Sequence, residues 1–134
     1  AVIFFDPKHA LEFEYRRKRA AHLFSKHRYL SAQMVPYLTD DLWLTSARKA
    51  NGNGQRLANG LKAAGAEFLH QPMANMIYAK FPRRIHMRLR KAGATYEFEH
   101  PDVGDPDEML SCRLVCDWSL SSDLIDEFLS FFQD

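Results

Sequence analysis

The sequence contains no apolar run approaching ~20 residues, which excludes a helical membrane span. Two cysteines, Cys112 and Cys116, are too few for a disulfide framework. The opening residues AVIFFDP lack the charged start and the cleavage site of a signal peptide, so a cytoplasmic protein is expected. There is no Gly-x-Ser-x-Gly elbow to present a nucleophile. There is no glycine-rich phosphate loop either, because Asn51-Gly52-Asn53-Gly54 sits inside a helical pattern with no strand before it. The six histidines show no metal-ligand spacing. Charge of one sign is also lacking: the formal net charge is +1, whereas nucleic-acid binders are usually lopsided. An initiator Met is missing, and the chain opens inside what reads as a buried strand, so a piece of a longer protein is expected.

What is present is ordinary for a globular chain of 134 residues: 46% hydrophobic, 26% charged, with ten Phe, five Tyr and two Trp to build a core. The length fits one domain, or one domain plus part of another. One stretch stands apart. Arg16 to Tyr29, RRKRAAHLFSKHRY, holds six Lys or Arg and two His. It reads either as a polyanion patch or as a junction between two lobes.

The run 1–5 is apolar and β-branched, stopped by Asp6-Pro7, and predicts a buried strand. From His9 the pattern is helical, with Leu23, Phe24, Leu30, Met34 and Leu38 at helical intervals and a break or kink expected at Pro36. Thr39 and Asp40 read as caps for a long helix ending at Gly65. The Asn-Gly repeat costs that helix roughly 0.5–1 kcal/mol per residue against Ala, and a loop there is the alternative. The spacing then predicts strands over 67–70 and 76–81, turned by Gln71-Pro72. A helix follows from Pro82, with Ile85, Leu89 and Ala92 inward and Arg83, Arg84, Arg88, Arg90 and Lys91 solvated. Strands over 95–99 and 110–116 flank a loop at 102–107. A final helix starts at Ser121-Ser122-Asp123, with Leu124, Phe128 and Phe131 as its apolar face. The class is α+β, a small sheet with helices on one face.

Among the chemistry-bearing residues, Cys112 and Cys116 share a strand face ~13 Å apart, too far for a disulfide or one zinc ion, and read as core thiols. Lys26, in Phe24-Ser25-Lys26-His27, has the Ser-Lys pattern of a Schiff-base lysine but lies among cations. Arg113 sits mid-strand in an apolar setting, where a charge needs a partner. It reads either as a bidentate carboxylate grip or as a structural ion pair.

Four stretches carry a resemblance: AVIFFDP; EFEYRRKRAAHLFSKHRYLSAQ; DDLWLTSARKANGNGQRLANGL; and SCRLVCDWSLSSDLIDEFL. Together the chain resembles the C-terminal part of the threonine aldolase and aromatic amino acid β-eliminating lyase family. These are pyridoxal phosphate (PLP) enzymes of the aspartate aminotransferase fold. The resemblance implies a tail and junction of the large PLP-binding domain over 1–30. It implies a small, mainly antiparallel C-terminal domain over 31–134. It further implies that Arg113 binds the substrate α-carboxylate and that Arg28 lies on the cofactor side. The implied reaction cleaves a β-hydroxy-α-amino acid to glycine and an aldehyde, in a cytoplasmic homo-oligomer. Holding the carboxylate fixes rotation about the Cα–N bond and so selects the bond that breaks. The family's Schiff-base lysine, pyridine-nitrogen aspartate, stacking histidine and phosphate loop have no counterparts here. The chain by itself is therefore expected to be inactive. Ala20-Ala21 stands where the family often has Gly-Gly, which would alter the junction backbone if φ > 0 is needed there. The alternatives are an assembly module and a polyanion-binding module using 16–28, with Tyr15, Phe24 and Tyr29 stacking on bases.

Overall fold

The computed structural model describes residues 2–23 and 25–133. Ala1 and Phe24 therefore lie outside the described residues. The chain divides into two compact units, Ala1–Leu42 and Trp43–Asp134.

In the first unit, Asp6 caps a 3-10 turn over Pro7–Ala10, accepting from the Lys8 N–H at 3.0 Å. Helix α1 spans Phe13–Arg19 and α2 spans His27–Leu38. The expected opening strand does not form: Val2 to Phe5 have no strand partner, and Phe5 is 98% exposed. Phe4 instead meets Phe13 edge-on at 5.0 Å. Pro36 is tolerated in the last turn of α2, which ends two residues later. Thr39 does not cap the next helix; its hydroxyl donates backwards to the Val35 carbonyl at 2.7 Å. Asp40 and Asp41 then take left-handed φ of 51° and 57°, which breaks the helical path.

At the end of α1 one residue of the alanine pair, Ala21, takes the positive φ in question, while Ala20 keeps φ −82°. Ala21 sits at φ 58°, while the His22 N–H donates to Arg17 and the Ala21 N–H to Lys18. This is a Schellman closure with alanine in the left-handed position that glycine favours.

In the second unit, α3 (Leu42–Ala63) runs unbroken through the Asn-Gly repeat. Packing explains its second half, Asn53-Gly54. A Cβ on Gly54 would lie 2.9 Å from Ala74 O and Asn75 Cα, so glycine admits the chain entering the sheet. Asn53 Nδ2 donates to the carbonyls of Asp117 and Leu120, tethering the turn that leaves the sheet. Gly65 and Gly93 close α3 and α4 with the same Schellman pattern, at φ 83° and 94°.

Three strands, β1 (Glu67–Phe68), β2 (Met76–Pro82) and β3 (Met109–Val115), form an antiparallel sheet in the order β1-β2-β3. Helix α4 spans Arg83–Lys91, and α5 spans Ser122–Ser130 with Ser121 as its cap. Ile77, Ala79, Phe81, Cys112 and Leu114 turn one sheet face toward Leu57 and Leu61 of α3, Leu89 of α4 and Ile125 of α5. The class is α+β, as expected. Both cysteines lie in this core, and burial pushes Cys112 up to about 12.

Four expectations fail here. Residues 95–99 alternate in burial but pair only through one bridge, Glu97 to Arg113, so no strand forms. The inward side of α5 centres on Ile125, while Leu124 is exposed. Ala92 is exposed as well, and Arg83 is not solvated but 5% exposed. Arg83 donates through Nε to the Asp105 carbonyl, through Nη1 to the Pro101 carbonyl and through Nη2 to Glu108. With Arg84–Asp107 and Arg90–Asp102, α4 thus fastens the loop over residues 101–108. That loop in turn caps α4, because the Arg83 and Arg84 N–H groups donate to the Glu108 and Pro106 carbonyls.

Candidate functional site

Alternation along β3 decides what can face outward. Leu110, Cys112 and Leu114 point into the core, so Ser111 and Arg113 stand on the opposite face. Arg113 lies across from Tyr78 of β2 and, on its other side, from Glu97. The Arg113 N–H donates to the Glu97 carbonyl at 3.1 Å, which sets the two side chains alongside each other. Arg113 Nη2 pairs with Glu97 Oε2. Arg113 Nε is buried and has no hydrogen-bond partner. Around the pair lies a cavity of about 310 Å³, lined by Leu69, Tyr78, Glu97, Glu99, His100, Ser111, Cys112 and Arg113. His100 Nε2 and Ser111 Oγ meet at 3.2 Å on its rim.

Glu97 is held in place by its neighbours. Tyr96 and Phe98, on either side of it, anchor in an aromatic cluster around His86. The His86 ring is fully buried, stacked on Phe81 at 3.8 Å and Phe98 at 4.3 Å. The Leu110 carbonyl near Nε2 can only accept, so Nε2 carries the proton and Nδ1 accepts from Tyr96 Oη at 3.0 Å. Burial pulls the His86 pKa down to about 4 and pushes Tyr96 above its ordinary range. This histidine escaped sequence reasoning. Its position beside Ile85 and one turn from Leu89 was the available signal, because that spacing puts it on the inward stripe.

The other candidates lie in the first unit. Arg28 rests over the Tyr29 ring at 5.1 Å and donates to Tyr29 Oη at 3.4 Å. Lys26 is exposed at the start of α2. Within the basic stretch, Arg16 pairs with Glu12 at 2.8 Å.

The sequence is 32% identical over 119 residues to the low specificity L-threonine aldolase of Pseudomonas sp. (strain NCIMB 10558), covering 88% of this chain and 32% of that protein. It is 29% identical over 128 residues to the low specificity L-threonine aldolase of Pseudomonas aeruginosa, covering 95% of this chain and 35% of that protein. The chain is a homologue of the C-terminal portion of threonine aldolases. It spans about a third of the length of these curated relatives. The structure of Leishmania major threonine aldolase has the same fold over 90% of this chain and 34% of that one, with a TM-score of 0.76 at 18% identity. No family model matches. Among the described residues no helix is long and apolar enough to cross a membrane.

The threonine aldolase relationship raises the question of PLP. The cavity at Arg113 has no lysine in its lining, and Lys26 is exposed at a helix start. These residues do not fit covalent attachment of the cofactor. The charged side chains that line the cavity are Arg113, Glu97 and Glu99.

Proposed function

We propose that this chain forms the C-terminal portion of a PLP-dependent lyase that cleaves β-hydroxy-α-amino acids to glycine and an aldehyde. Its part in that reaction is to grip the substrate. Arg113 carries the proposal: a partly exposed guanidinium on the open sheet face beside a cavity of about 310 Å³. Two parallel N–H donors match the two oxygens of a carboxylate, and that fit removes rotation about the bond to Cα. Arg28 is assigned, separately, a role toward the cofactor, as an exposed cation steadied by Tyr29. The bulk of the cofactor site is assigned to residues other than these. The same reading makes the protein a homo-oligomer. The exposed Leu30, Val35, Tyr37 and Leu38 of α2 are apolar surface of the kind that subunit contacts cover.

The test is the intact mass of the natural gene product and its visible absorbance with PLP, followed by Arg113→Ala. A PLP-binding product in which Arg113→Ala weakens amino-acid binding by roughly 10–100-fold, with PLP affinity unchanged, supports the proposal. A product that binds no PLP overturns it.

A further inference from the structure

Arg113 already has a carboxylate on it. Glu97 pairs with Nη2, and the single backbone bridge at this residue fixes the glutamate at arm's length from the guanidinium. Tyr96 and Phe98 pin the backbone on both sides, so the pair opens by side-chain rotation rather than by withdrawal of the Glu97 backbone. The side chains are 39% and 45% exposed, which places the pair among water-screened ion pairs that an incoming anion can displace. A second glutamate, Glu99, lines the same cavity but makes no ion pair with Arg113.

We propose that Glu97 is an internal stand-in for the substrate carboxylate. It occupies the Arg113 fork in the absence of substrate and yields it when an α-carboxylate arrives. The inference rests on the reading of Arg113 as the carboxylate-binding residue. The stand-in avoids leaving a guanidinium without a counter-charge in a partly enclosed pocket. It also makes the site selective, because a ligand must outcompete the glutamate. A neutral amide or an ester offers no charge and leaves the pair closed. A carboxylate replaces one anion with another at the exposed end of the guanidinium.

The experiment is a titration of the 134-residue chain with acetate, and with acetamide as the neutral control, read at the Arg113 Nε–H by NMR. In Glu97→Gln the backbone bond to Arg113 is kept and the competing charge is removed. Acetate affinity is expected to rise about five-fold, the measure of an exposed ion pair. Glu99→Gln removes a charge from the same cavity without freeing Arg113 and is expected to change affinity less than about two-fold. Arg113→Lys, followed at the Glu97 and Ser111 backbone amides, should abolish the acetate-induced shifts that wild type shows there. Acetate that binds wild type and Glu97→Gln equally well overturns the stand-in and leaves Arg113 as a carboxylate site. An equal rise in both glutamine variants also overturns it, reducing the effect to general charge. No acetate response in either wild type or Glu97→Gln removes the Arg113 reading itself, and the stand-in with it.

Discussion

Lowering the pH from 7 to 5 is expected to destabilise the second unit by about 2 kcal/mol through one side chain, His86. In the fold this ring is neutral, buried between Phe81 and Phe98, and its pKa is lowered to about 4. In the unfolded chain it takes up a proton near the ordinary value of about 6.5. Between those two values the unfolded state holds the proton and the folded state does not. Stability is therefore fully present above about pH 6.5 and declines as pH falls toward 4, by about 1.4 kcal/mol per unit at most. The accumulated loss is about 2 kcal/mol at pH 5 and about 3 kcal/mol at pH 4. Ordinary carboxylates titrate mainly below pH 5, so the upper part of the window isolates the histidine. Urea melts at pH 7, 6 and 5, with tryptophan fluorescence as the probe, measure the slope. An NMR titration of the His86 ring in the folded protein gives the second reading. Urea midpoints that hold steady across this range, or a His86 ring that titrates near 6.5 while the protein stays folded, would refute the reasoning.

Two other changes have signs set by the backbone. Ala21→Gly relieves a left-handed alanine at the end of α1 and is expected to stabilise that helix end by about 1 kcal/mol, seen as slower exchange of the His22 and Ala21 amides. Asn53→Ala removes two hydrogen bonds to the Asp117 and Leu120 carbonyls and should cost about 1–3 kcal/mol in urea unfolding, with the loss local to the turn after β3.

The second unit was largely legible in its sequence because its signals are local. The period-two pattern over 110–116 places Leu110, Cys112 and Leu114 inward as observed, and Gly65 and Gly93 mark both helix ends where their φ angles require glycine. The Asn-Gly repeat was harder, since propensity argues for a loop. Only the approach of Ala74 to Gly54 and the two tethers from Asn53 explain why the helix survives. Arg83 misled because a cationic helix face is usually solvated, whereas here the acceptors lie some 18–25 residues further along the chain. Such pairings leave no periodic trace. The opening apolar run had the composition of a buried strand, but composition cannot supply the neighbours that bury it; Val2 to Phe5 are exposed. Of the site, Arg113 stood out as a charge in an apolar strand. Its partner Glu97 did not, because an alternating segment that makes a single bridge looks the same on paper as a full strand.

The alternation of β3 ties two properties that are usually altered separately. Arg113 faces the cavity only because Cys112 and Leu114 face the core. A slip of one residue against β2 would drive the guanidinium into the core beside Ile77 or Ala79 and lift a buried thiol onto the open face. The hydrophobic side sets this register, so the core of this unit acts as the alignment gauge of its polar face. Mutations deep in the apolar layer that let β3 shift would silence the arginine without touching it, and ones that keep the register would leave it where it is.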